Sequence, residues 1–232
     1  EVTRHTGPDW GAGGGEFVAP AYDVSALEAM VSIGGPRVWY RTGHVIYADG
    51  FEMSLAPWQL VFLGTGAAIV RTGRKSFAGA YALEITPSTT GGGTVGQRLS
   101  KRFPFLMNTR VGLEIMLNIE DDLVNTVALP YIRINLFDGT TLYLGTIVID
   151  GNNDKLQYQR SSDGTLVDLA IGLGQIGGAS VTPFFHVIKL VIDLALRQYV
   201  SCSFNSLVIP MTGLPLREVA NPTVNHLEGQ FG

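Results

Sequence analysis

Between residues 111 and 119 the chain alternates with a period of two. Val111, Leu113, Ile115, Leu117 and Ile119 fall on one face, and Gly112, Glu114, Met116 and Asn118 on the other. That period belongs to a strand with one face buried. Ile132, Ile134 and Leu136 repeat it and run into Asp138-Gly139, a tight-turn pair. Leu142–Ile149 returns, Asp150–Asp154 turns again, and Leu156–Arg160 leads to a further turn at Asp163-Gly164. Residues Phe184–Leu194 are almost continuously apolar, as in a central strand covered on both faces. Tyr199–Phe204 and Leu207–Met211 flank Asn205-Ser206 and predict a hairpin. Val38–Arg41 and His44–Tyr47 flank Thr42-Gly43 and predict another.

Only one stretch has the pattern of a helix. Ser25 and Glu28 have capping-box spacing, Val24, Leu27, Met30 and Val31 share a face, and Gly34 supplies a stop. Repeated strands and turns, with no second helical pattern, predict an all-β fold. The expected form is a two-sheet antiparallel jelly-roll sandwich with one short N-terminal helix and extended terminal arms. The expected divisions are residues 1–37 for a glycine-rich arm and the helix, 38–220 for the sandwich, and 221–232 for a C-terminal tail. Strands should begin near Tyr40 and end near Pro215.

Composition adds a partner to this picture. At 232 residues with 46% hydrophobic content the chain can bury a large core, yet only 16% of it is charged. A solvated monomer normally carries more charge, so part of the surface is expected to be covered. The net charge of −4 and the scattered cations exclude a nucleic-acid footprint. Arg98, Lys101 and Arg102 form the densest basic group and are expected on a solvated strand face. No apolar run approaches the ~20 residues that span a bilayer, so no membrane partner is expected. There is no signal-peptide pattern, and the chain begins Glu1-Val2-Thr3, which suits a processed or trimmed product. Localisation is not legible.

Thr6–Gly15 is too rich in glycine for a helix or a stable strand. Such a segment cannot offset the entropy of its own ordering by its own packing. Residues 1–20 are therefore expected to act as an intermolecular arm, with Trp10 and Phe17 as interface anchors in a neighbouring subunit.

Two groups of residues carry a family resemblance. Asp49-Gly50-Phe51-Glu52 followed by Trp58 resembles the opening strand of concanavalin A-like lectin/glucanase domains. Phe185–Asp193, Tyr199–Phe204 and Leu214-Pro215-Leu216 resemble the closing hairpins of laminin-G-like members. The similarity covers roughly residues 45–220. It implies a jelly-roll sandwich with Trp58 in the core, and it leaves function open, because that superfold hosts lectins, glycosidases, adhesion modules and viral surface proteins.

The glycosidase branch needs two carboxyl groups about 5 Å apart. In the laminarinase-like members these lie at alternate positions of one strand; here Glu114 stands with Met116 and Asn118 where the partner acids would be. Glu120, Asp121 and Asp122 are off that register. No enzyme is expected. Asp150, Asn152 and Asp154 alternate as calcium ligands do, but the turn lacks the glycine and closing glutamate of an EF-hand loop, so a hairpin turn is expected in preference to a metal site. The four histidines show no ligand spacing, Gly64-x-Gly66 lacks a third glycine, and no nucleophile elbow occurs. Cys202 is the only cysteine, lies in a strand, and is expected to be a small buried hydrophobe. No metal or cofactor is expected.

Trp39 and Tyr40 are adjacent and must face opposite sides of their strand, so one of them is a candidate platform for a sugar ring. Two functions follow. The first is a non-catalytic assembly module of a homo-oligomeric surface particle, of virion coat, decoration or appendage type, joined through the N-terminal arm. The second is a lectin-like module with a glycan partner held at Trp39 or Tyr40.

Overall fold

A computed structural model describes residues 49–51, 55–62, 65–73, 80–86, 97–103, 110–119, 129–151, 153–173, 185–221 and 226–232. The helix expected near residues 24–34, the hairpin at 38–47 and the glycine-rich arm lie outside the described residues. The chain divides into two compact units, Glu1–Ser54 with Arg71–Leu83, and Leu55–Val70 with Glu84–Gly232. In the first, the Arg71 guanidinium sits 3.9 Å above the Tyr81 ring.

The described residues are all strand, turn and loop, and their strands pair antiparallel. The early strands are β1 (Gln59–Val61), β2 (Ala68–Thr72), β3 (Ala82–Thr86), β4 (Arg98–Phe103) and β5 (Arg110–Leu117). The middle ones are β6 (Tyr131–Phe137), β7 (Thr141–Asp150), β8 (Lys155–Gln159) and β9 (Leu166–Ile171). The last are β10 (His186–Asp193), β11 (Gln198–Phe204), β12 (Leu207–Pro210), β13 (Arg217–Ala220) and β14 (His226–Phe231).

The large sheet runs β1-β4-β14-β6-β7-β8-β9. β13 joins it by pairing Arg217–Ala220 with Leu144–Thr141, so β13 and β8 share one edge of the long strand β7, end to end. A smaller sheet runs β12-β11-β10-β5, and β2 pairs with β3. The chain passes from one large layer to the other between β4 and β5, β5 and β6, β9 and β10, and β12 and β13.

The two layers share one core. Ile132, Ile134, Leu136, Tyr143, Ile147 and Leu156 of the large sheet meet Ile188, Leu190, Ile192, Tyr199 and Phe204 of the small one. Burying such side chains contributes about 1.5–3 kcal/mol each. Gly145 marks the closest approach: a Cβ there would stand 3.0 Å from Ile192 Cγ2 and 3.2 Å from Leu216 Cδ2. Tyr199 fastens the layers by hydrogen bonds as well. Its hydroxyl accepts from the Thr146 N–H at 3.0 Å and donates to the Gln159 carbonyl at 3.2 Å.

The turns form where their residues dictate. Asp138 Oδ1 accepts the Thr141 N–H at 2.9 Å while Gly139, at φ 92°, takes the left-handed conformation that glycine adopts without strain. Asn205, at φ 52°, does the same work between β11 and β12.

Three expectations need correction. Residues 221–232 are not a free tail, because β14 lies inside the large sheet between β4 and β6, and the strands end at Phe231 rather than near Pro215. β10 is not covered on both faces along its length. Ile188, Leu190 and Ile192 are fully buried while Lys189 and Val191 are only half-buried, since their face lies away from the core. Leu113, Ile115 and Leu117 point toward the core but are half-buried; among the described residues β5 is the last strand of its sheet.

Candidate functional site

The outer face of the large sheet carries polar side chains in register. Ser100, Gln230, Arg133 and Thr146 form one row across β4, β14, β6 and β7, and Arg102, Glu228 and Asn135 form the next. A strand that buries only one face should leave such residues in water. Here Ser100, Gln230, Asn135, Thr146 and Glu228 are all buried, Glu228 to 4% exposure.

Glu228 is the hub. Its Oε2 accepts from Arg102 Nε at 3.3 Å and lies 3.8 Å from His226 Nε2. Its Oε1 accepts from Asn135 Nδ2 at 3.4 Å and from Gln230 Nε2. The amide oxygens Asn135 Oδ1 and Gln230 Oε1, and Arg98 Nε, are buried without a hydrogen-bond partner. Each such atom costs about 1–3 kcal/mol unless a donor or acceptor reaches it. His226 stacks on Phe137 with ring centroids 4.0 Å apart, which fixes one end of the row.

The neighbouring row is linked in the same way. Arg133 Nε donates to Thr146 Oγ1 at 2.9 Å, and the guanidinium lies 5.0 Å from the Tyr131 ring centroid. Burial pulls the Arg133 pKa down and pushes that of Tyr131 up. Thr146 Oγ1 meets Gln159 Oε1 at 3.5 Å, and Gln159 Nε2 donates to the Gly164 carbonyl at 3.2 Å. Together the rows bring hydroxyl, amide and guanidinium groups into one largely buried polar network on the large sheet. The positions flanking Glu228 on this face, Arg102, Asn135, His226 and Gln230, supply no second carboxylate.

The residues singled out from the sequence are distributed differently. Trp10, Phe17, Trp39 and Tyr40 lie outside the described residues. Trp58 is half-buried with its ring edge-on to Phe231 at 5.3 Å. Arg98, Lys101 and Arg102 do lie on one strand, but β4 is interior to the sheet, and only Arg102 keeps a largely exposed side chain, at 63%. Glu114 faces Lys189 across the β5–β10 ladder, with the ammonium 3.5 Å from its Oε2. Asp150 accepts from the Asn153 N–H at 3.2 Å and from Asn153 Nδ2 at 2.8 Å, so its carboxylate is committed to the turn, and Asn152 lies outside the described residues. Among the described residues no group of three His, Cys, Asp or Glu side chains is placed to hold a metal ion. Cys202 is fully buried, and desolvation pushes its thiol pKa up to about 12. The sequence pattern missed Glu228 and Gln230. They flank Gly229 in a segment with only Leu227 and Phe231 as apolar signals, too few to mark a strand.

No protein-family model matches the chain, and no curated protein matches it.

Proposed function

We propose that the chain is a jelly-roll sandwich of the concanavalin A-like kind, serving as a non-catalytic assembly module of a homo-oligomeric surface particle. One observation carries this: the second unit is well cored, yet it leaves large apolar side chains exposed at its margins. Leu166 and Ile171 stand out on β9, Leu207 and Val208 on β12, and Leu196 on the turn before β11. Among the described residues both strands are sheet ends. With charge at 16% of residues, such margins favour contact with another protein surface over solvent. The non-catalytic part is supported by the candidate groups themselves. Glu114 is paired with Lys189, Glu228 is held among amides and a guanidinium, and the Cys202 thiol is held in its neutral form.

The arm at residues 1–20 is the proposed joint, with Trp10 and Phe17 as anchors. Trp10→Ala should weaken assembly by about 2 kcal/mol or more, the size of an aromatic hot spot. Deleting residues 1–20 should give a folded sandwich that no longer assembles beyond a dimer, as read by sedimentation velocity and circular dichroism. If the deleted chain is the same monomer as the full chain and merely melts lower, the arm serves its own subunit and the proposal fails.

A second function, glycan binding, is the alternative that the resemblance to lectin domains supports, with Trp39 or Tyr40 as the platform for a sugar ring. A glycan array read with the full chain and with Trp39→Ala and Tyr40→Ala tests it. Binding that survives both substitutions would remove this version.

A further inference from the structure

We infer that β9 is a self-pairing edge, through which two copies of this chain join their large sheets about a two-fold axis. The inference rests on the assembly reading and names the surface that reading requires. Among the described residues β9 is the last strand of its sheet, paired with β8 along one edge. Arg160 donates its N–H to the Thr165 carbonyl at 2.8 Å, and Gly172 donates to the Asp154 carbonyl at 3.0 Å. Thr165 and Gly172 therefore turn their backbone groups toward β8. Successive residues of a strand alternate in that respect, so Leu166 and Ile171 turn theirs away. The same two residues carry exposed apolar side chains, at 38% and 67%.

Their spacing is self-complementary. A two-fold axis midway between Asp168 and Leu169 sets Leu166 of each copy opposite Ile171 of the other. Each such pair would exchange both backbone hydrogen bonds and cover two apolar side chains. The β-bulge between Leu156 and Gln157 in the β8–β9 ladder falls at this midpoint, so pairing is confined to the two ends. Asp168, the one acid in β9, does not oppose the approach by bare charge, since Lys155 Nζ holds it at 2.8 Å and Gln157 Nε2 at 2.8 Å. β12, the other apolar end strand, is less suited. Met211 donates to the Val200 carbonyl at 2.9 Å, which places Pro210 with its backbone outward, where it has no N–H to offer.

Sedimentation equilibrium of the full chain and three variants tests the register. The wild type should associate as its concentration rises. Ile171→Lys should raise the dimer dissociation constant about tenfold or more, because the ammonium would face Leu166 of the other copy. Combining Leu166→Glu with Ile171→Lys should restore association, since each glutamate then meets a lysine across the axis, whereas Leu166→Glu alone should not. Circular dichroism of each variant checks that the strand is kept. Association that Ile171→Lys leaves unchanged, or that the double variant fails to recover, overturns the β9 register while the assembly function stands. A wild type that stays monomeric throughout overturns both.

Discussion

The outer faces of the two sheets invite comparison, because both are built from the polar half of a two-residue pattern. On the small sheet, Glu114 and Lys189 meet directly across a ladder, both partly open to solvent. On the large sheet, Glu228 is buried and its carboxylate serves Arg102, Asn135 and Gln230 at once. The first arrangement is a half-buried ion pair across a single ladder. The second is a network in which each removal strands another buried group. Polarity in the sequence therefore does not reveal burial.

The largest effect should come from beneath both faces. Leu190→Ala, in the shared core, should cost about 2–5 kcal/mol in chemical denaturation. Gly145→Val should cost about 1–3 kcal/mol by forcing Ile192 and Leu216 apart. The comparison itself is sharpened by Glu228→Ala, which should cost about 1–3 kcal/mol by stranding buried amide donors. Lys189→Ala on the other face should cost less than about 1 kcal/mol. Equal costs for Glu228→Ala and Lys189→Ala would break the distinction between the two faces.

Alkaline pH should also find the core. Burial raises the Cys202 pKa from 9.0 to about 12 and that of Tyr199 from 10.0 to about 12. Above the unfolded values the unfolded chain has lost these protons while the folded chain keeps them. Stability is thus full below about pH 9 and falls as pH rises toward 12. In denaturation curves taken at increasing pH, Cys202→Ala should flatten the first part of that decline, and Tyr199→Phe the later part.

Much of this was legible from pattern. The strands around Ile132–Leu136, Leu142–Ile149 and Tyr199–Phe204, and the turns at Asp138-Gly139 and Asn205-Ser206, follow from alternation and turn chemistry. β14 did not, since its core face is Leu227, Gly229 and Phe231, and a glycine at the centre of three inward positions erases the apolar signal. The candidate site was lost with it, because Glu228 and Gln230 acquire their meaning only from Arg102 and Asn135, which stand 126 and 93 residues away from Glu228 in sequence. Long-range pairing of that kind has no local trace.

The chain is proposed to work in company with copies of itself. Sedimentation equilibrium of the full chain over a wide concentration range tests this most directly. The mass should rise above 25.0 kDa toward a closed multiple as concentration increases, whereas a single 25.0 kDa species at every concentration would contradict self-assembly.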